Sequence, residues 1–476
     1  MLLASGRLAA ALMALIAIRA VTTYLSPVQY GELALLLTVQ MFCGLFLINP
    51  MGQHINLHTH AWWDQGSLVA RLKAYQKYII AVSLAGSLVV LGINKQMTGD
   101  HLFWATASMF AMIVAASWNA TLIPMLNMLG FRGASVLWGV MTAAVSLVSS
   151  ILLVSLFHTA TSWFAGQAIG MAIGALGARY TFRMHAARCY VSPDRLPLID
   201  KRTIVAYCLP LALATGLMWS QLSGYRFLVE WYWGLAQLGF LVVGMQVAGQ
   251  IWALIETLAS QFLYPLFYRR VTAHQDDGEL QAAFSDLLNT LLPVYLVTTG
   301  FLVSCASYLL KLLVAPQFHG VTYFVMVGAG IEMCRVLANL LSNAAHVRRK
   351  TNSLILPYAV GAFITIASIF LAGSQHMDIT WVGGSLLLGS VFMMLFMAIT
   401  MYRQVKFSLN LTRLFWAFSA MLALFAVSNW LPQPQGIVKN IALISLLGLI
   451  ATVVATALLW KNQALYRLMT VQLRNN

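Results

Sequence analysis

Long apolar stretches recur along this chain, most near the roughly 20 residues that a helix needs to cross a bilayer. Short polar, basic or proline-bearing connections separate them. Fourteen spans are predicted: 5–25, 31–49, 75–93, 102–124, 135–157, 163–183, 204–225, 236–263, 289–313, 322–345, 353–373, 381–402, 414–431 and 438–459. Pro432 and Pro434 join the last two, which carry the weakest pattern, so twelve spans stays open as an alternative. The organising stretch is Ile18–Gly52. There Ser26-Pro27 ends one helix, because the residue before a proline is pushed out of the α region, and an apolar run from Gly31 to Ile48 begins the next. Arg19 lies inside the first helix, about six residues or roughly 9 Å before its end. Arg19 and Gly31, 12 residues apart, are echoed by Arg226 and Gly239, 13 apart. The offset of 207 residues at the arginine and 208 at the glycine predicts two halves built on one plan.

Composition turns these apolar stretches into membrane spans. The chain is 60% hydrophobic and 9% charged, against about 25% charged residues in soluble domains. Its net charge of +15 does not point to nucleic acid, because the basic residues sit in short loops between apolar runs. With the N-terminus placed in the cytoplasm, 22 Lys and Arg fall on the cytoplasmic side and 4 on the other, and Arg19 and Arg335 lie within spans. That imbalance predicts both termini in the cytoplasm. Arg7 and the apolar Leu8–Ile18 imitate a signal peptide, but no small-x-small cleavage site follows, so an uncleaved first span is expected. The longest connections, Pro50–Ala74, Met184–Thr203 and Tyr264–Leu288, are cytoplasmic and suit amphipathic helices at the interface. Cys43, Cys189, Cys208, Cys305 and Cys334 form no CxxC pair and read as buried thiols.

Catalytic signatures are absent: there is no Walker loop, HExxH, GxSxG or Asp-rich motif, and no cofactor is expected. His54, His58 and His60 read as solvated loop residues rather than metal ligands. The informative residues are charges inside spans, which cost about 2.5–3.5 kcal/mol at a helix centre and therefore face a bundle interior or a watery cavity. Glu332 and Arg335 share one face midway along the tenth span, either as a pair that makes the helix insertable or as a cationic site tuned by Glu332. Arg19 and Arg226 serve an anionic headgroup or snorkel to the outer interface. Glu256, with Glu332, is a candidate proton or cation site, and interfacial exposure is its alternative. Asn49-Pro50, Pro124, Pro210 and Pro265 are expected to break or bend helices at or near span ends. Trp231, Tyr232 and Trp233 fit an outer interfacial belt.

Four segments carry a resemblance. RAVTTYLSPVQYGELALLL at Arg19–Leu37 resembles the first hairpin of bacterial polysaccharide exporters and O-antigen (Wzx-type) flippases, within the multidrug/oligosaccharidyl-lipid/polysaccharide exporter superfamily. LNMLGFRGAS at Leu126–Ser135 is similar to the family's turn after the fourth span. YCLPLALATGLMWSQLSGYRFLV at Tyr207–Val229 resembles its seventh span, and LKLLVAPQFHG its outer turn before the tenth. Many relatives carry an acidic residue just before the arginine, where this chain has Gly224-Tyr225-Arg226.

The resemblance implies an all-α polytopic membrane protein of about 14 transmembrane helices. Two pseudo-repeated six-helix lobes (1–200 and 201–402) would surround a central cavity, and 403–476 would supply two C-terminal helices and a tail. The implied substrate is an undecaprenyl-diphosphate-linked oligosaccharide for O-antigen, lipopolysaccharide or a related polysaccharide, flipped across the bacterial inner membrane by alternating access. Arg19, Arg226, Glu332 and Arg335 are the expected headgroup or glycan residues, and Glu256 and Glu332 the expected ion-coupling pair. Expected partners are the lipid-linked oligosaccharide, membrane lipids, a polysaccharide polymerase and a chain-length regulator, with no nucleic acid. Two rivals remain: a cation-coupled multidrug exporter of the same superfamily, and a membrane polymerase or ligase. Short outer loops weigh against the enzyme.

Overall fold

A computed structural model describes residues 2–93, 100–186, 201–273, 276–428, 430–432, 436–460 and 462–470. The described residues hold no strand. The helices are α1 (Leu2–Tyr24), α2 (Pro27–Phe42), α3 (Asn49–Asp64), α4 (Leu68–Ile93), α5 (Asp100–Met128), α6 (Arg132–Phe157), α7 (Ala160–Ala186), α8 (Lys201–Trp219) and α9 (Arg226–Phe262). They continue as α10 (Tyr264–Ala273), α11 (Asp277–Leu313), α12 (Thr322–Val347), α13 (Ile355–Ser374), α14 (Thr380–Gln404), α15 (Leu411–Ser428), α16 (Ile437–Leu459) and α17 (Gln463–Thr470). Ten helical segments among the described residues meet a membrane-spanning test of length and hydropathy, and two shorter apolar helices fall below it. One of the ten, Arg202–Val271, is divided by Gly234, whose φ of 79° and ψ of 170° no helix contains. With that division, a helix lies at each of the fourteen expected spans.

Local chemistry moves several boundaries. Ser26 and Gln29 form a capping box, with Pro27 at the first helical position, so the second span starts at Pro27 rather than Gly31. That helix runs unbroken to Asp64, where a break was expected at Asn49-Pro50. The intervening Cys43–Ile48 is π-helical, and the widened turn makes room for a proline that lacks an N–H and would crowd Phe46. Pro124 and Pro210 likewise lie within helices, whereas the chain does part beside Pro265, between α9 and α10. The ninth span begins at Asp277 rather than 289. Met184–Thr203 falls largely outside the described residues, as do Lys95, Arg188, Cys189, Arg195, Lys461 and Arg474.

The chain separates into two compact units, Met1–Gly239 and Phe240–Asn476. In the first, α6 and α7 pack through small residues. Gly166, Gly170 and Gly174 recur every four residues on α7, and an added Cβ at Gly170 falls 2.3 Å from the backbone nitrogen of Ser146. Ser149 Oγ donates to the Gly166 carbonyl at 2.7 Å and Ser150 Oγ to that of Trp163 at 3.0 Å. Hydrocarbon offers no hydrophobic drive between helices, so close backbone approach and interhelical hydrogen bonds replace it. The echoed glycines meet in the same way. A Cβ on Gly31 would lie 2.1 Å from the carbonyl oxygen of Leu235, and one on Gly239 2.0 Å from that of Pro27. Each glycine thus sits against the residue four places before the other.

In the second unit α11 is central and packs on α12, α15, α16 and α17. Ser304 Oγ donates to the Leu424 carbonyl at 2.9 Å and Tyr308 to that of Pro432. Asp286, 2% exposed, accepts hydrogen bonds from Arg270 at 2.8 Å and Arg467 at 2.7 Å, which fastens α10 and α17 to α11. Glu279 also pairs with Arg270. Between α13 and α14, Asp378 accepts the Thr380 backbone N–H at 2.8 Å, and that bond holds its carboxyl below the usual carboxylate range. Apolar side chains such as Leu156, Phe363 and Val438 stay exposed, while Ser and Thr are prominent inside. That is the pattern of a chain whose solvent is lipid.

Candidate functional site

Charges predicted inside spans converge in the second unit. Glu332 and Arg335 are one turn apart on α12, and Arg335 Nε donates to Glu332 Oε2 at 2.7 Å. Its Nη2 lies 3.0 Å from Glu256 Oε2 on α9, and Asn339 Nδ2 donates to the other Glu256 oxygen at 2.8 Å. Four polar residues, Glu332, Arg335, Asn339 and Asn343, follow one face of α12 at spacings of three and four. Asn343 Oδ1 accepts from Tyr268 at 2.6 Å. Behind the cluster, Trp252 donates to the Ala329 carbonyl at 3.1 Å and stands edge-on to Tyr295, which fixes α9 against α12. Gly249 leaves room for Glu332, whose Oε1 is 3.5 Å from where a Cβ would fall.

Two carboxylates share one guanidinium here, so the formal charge of the three side chains is −1. Each is 20–24% exposed. The arrangement does not present Arg335 as a bare cation, because both carboxylates already engage it.

The two other predicted arginines are in the first unit. Arg19 is exposed on α1, on the same face as Leu12 and Ile16, and its carbonyl accepts from Thr23 at 2.7 Å. Arg226 is half-buried rather than extended to an interface. It follows a π-helical turn, Ser220–Gly224, and its Nη1 donates to Thr38 Oγ1 at 3.3 Å and the Ala34 carbonyl at 3.4 Å. Trp219 donates to the Thr38 carbonyl at 3.0 Å, so both side chains tie this segment to α2.

The expectation of solvated histidines gives way for His54, which is 4% exposed and packed on His58 and Tyr207. Continuous α-helix from Asn49 folds it inward, while His60 remains exposed. Among the described residues no group of three His, Cys, Asp or Glu is placed to hold a metal. Cys43, Cys305 and Cys334 are buried thiols and Cys208 is half-buried.

Sequence reasoning missed Asn339 and Asn343, although polar residues repeating along one face of an apolar helix were the available signal. It also missed an uncharged cavity of about 410 Å³ inside the first unit, lined by α2, the π-helical turn, α3, α4, α5 and α7.

No family model matches the chain. No curated protein matches it either. Among solved structures it is similar to the lipid II flippase MurJ in an inward closed conformation, at 10% identity and a TM-score of 0.70, over 97% of this chain and 99% of that one. It is also similar to an inward-facing multidrug resistance MATE family transporter of the MOP superfamily, at 11% identity and a TM-score of 0.49, over 88% and 94% of the two chains. The eukaryotic MATE transporter AtDTX14 aligns at 14% identity and 0.48, over 90% and 96%. The chain therefore has, almost from end to end, the fold of the lipid II flippase structure.

Proposed function

We propose that this protein is a flippase for lipid-linked oligosaccharides, turning an undecaprenyl-diphosphate-linked repeat unit of O-antigen or a related polysaccharide across the bacterial inner membrane. The observation that carries the reading is the membrane-embedded Glu256–Arg335–Glu332 cluster, set in a fold shared over 97% of the chain with a lipid II flippase. A diphosphate and a glycan cannot cross hydrocarbon unaided, while a prenyl tail can stay in lipid. In this reading both termini are cytoplasmic, 1–200 and 201–402 are the two six-helix lobes, and 403–476 supplies the extra helices. A polymerase and a chain-length regulator would receive the product.

Arg19 and Arg335 remain the proposed headgroup contacts, with Arg226 in support. Phosphate oxygens and carboxylates compete for the same guanidinium faces. Neutralisation of Glu256 or Glu332 by a proton or Na⁺ would therefore release Arg335 toward the headgroup, which is how an ion gradient would drive the cycle. The test is the sidedness of repeat units in spheroplasts depleted of the protein, probed with a membrane-impermeant lectin. Single repeat units trapped on the inner leaflet are expected. Single units accumulating outside would overturn the reading in favour of a polymerase or ligase.

One observation favours a second reading. The −1 charge of the cluster suits a cationic cargo, as in a cation-coupled multidrug exporter. Efflux of a cationic dye that is lost in Glu256→Gln, together with normal sidedness of repeat units, would establish it.

A further inference from the structure

We propose that the cavity inside the first unit is a binding site for a neutral sugar, a proposal that rests on the flippase reading and assigns its glycan a place. Amides dominate its polar wall: Gln40, Asn49, Gln53 and Asn56 come from α2 and α3, and Asn119 from α5, beside Tyr75. No Asp, Glu, Lys, Arg or His lines it among the described residues. An uncharged wall gives a diphosphate or a metal cation no counter-charge, whereas amides set among apolar side chains such as Met41, Ile113 and Met171 suit the mixed polar and apolar faces of a sugar ring. An amide carries two N–H donors and a carbonyl acceptor, the complement of neighbouring sugar hydroxyls; Asn119 spends its N–H groups on Thr142 Oγ1 and the Met171 carbonyl and has its carbonyl left to offer. The volume of about 410 Å³ falls in the range of small-molecule sites, about 300–1,000 Å³.

Two further observations point to an occupant. Asn56 Oδ1 is buried with no protein partner, and the Gln53–Asn49 contact is long at 3.4 Å, so the wall retains unused hydrogen-bonding capacity. Gly44 and Gly52 also line the space. A Cβ at Gly44 would meet only Gln40 Nε2 at 3.9 Å, and one at Gly52 only the Tyr75 hydroxyl at 3.9 Å. Helix packing does not demand glycine at either position, and glycine weakens a helix by about 0.5–1 kcal/mol relative to alanine. What glycine does there is keep the cavity open. Gly44 belongs to the π-helical turn, a distortion frequent at functional sites.

The test is saturation-transfer NMR on the full-length protein in lipid nanodiscs free of sugar-headed detergent. The probes are methyl glycosides of glucose, galactose and N-acetylglucosamine, with methyl glucuronide as the anionic control. Saturation is expected on at least one neutral glycoside and not on the glucuronide. Gly44→Leu and Gly52→Leu, whose Cβ atoms meet no atom closer than 3.9 Å, extend a side chain into the space and should cut the signal at least fivefold, and Gln53→Leu should do the same by removing an amide. Thermal melts establish that each variant is folded. Absence of transfer to every neutral glycoside overturns the proposal, as does an unchanged signal in both glycine variants or an equal signal from the glucuronide. A neutral-sugar signal lost in the filled variants supports the site even if depletion leaves repeat-unit sidedness normal, in which case only the flippase reading falls.

Discussion

Replacing Arg335 by methionine keeps an unbranched stem but leaves Glu256 and Glu332 without the guanidinium that they share at 3.0 and 2.7 Å. With charge centres about 4 Å apart and an effective dielectric constant near 20, each attraction is worth about 4 kcal/mol before desolvation. Removing one partner of a fully buried pair costs about 3–5 kcal/mol. These side chains are 20–24% exposed rather than fully buried, and about 2–3 kcal/mol is expected. For a folding unit of this size that corresponds to a fall of about 5–10 °C in apparent Tm. Glu332→Gln leaves a neutral Arg335–Glu256 pair and should cost under about 1 kcal/mol. Tryptophan-fluorescence melts in nanodiscs at neutral pH measure both losses. Arg335→Met melting with wild type, or Glu332→Gln losing as much as Arg335→Met, would refute the shared-cation argument.

Two structural predictions accompany it. Asp286→Ala removes the acceptor common to Arg270 and Arg467. It should cost about 3 kcal/mol and expose α17 to proteolysis, and an unchanged cleavage rate would contradict the role given to that contact. Gly170→Leu forces α6 and α7 apart, because even its Cβ would fall 2.3 Å from Ser146 backbone nitrogen, at about 1–3 kcal/mol. Gly139→Leu on α6, where an added Cβ meets nothing within 4 Å, should leave size-exclusion profile and Tm unchanged.

Much of the helical plan was readable because each span must satisfy its own backbone hydrogen bonds and be apolar over a bilayer's width, and both conditions are local. Boundaries drifted where local chemistry was subtler than hydropathy. The capping box at Ser26–Gln29 began a helix four residues early, and a π turn carried it through Pro50. The Gly166–Gly170–Gly174 stripe was visible in the sequence, but its complement of serines on α6 became evident only when the two helices were paired.

The sequence by itself determined a multi-pass helical membrane protein and the short list of intramembrane charges, because charge in hydrocarbon is costly wherever the chain folds. Its echoed glycines were read as a sign of two halves on one plan, and that they lie against one another, where two backbones approach because side chains are absent, only the structure shows. The tertiary structure alone decided that Glu256, 76 positions before Glu332, shares Arg335 with it and turns an apparent cationic site into one of net −1. It alone placed Arg226 against Thr38, and it alone gathered scattered amides around one cavity. Hydropathy scores residues along the chain one window at a time. Charge sharing and cavity shape depend on which faces of distant helices meet, and no local window contains that.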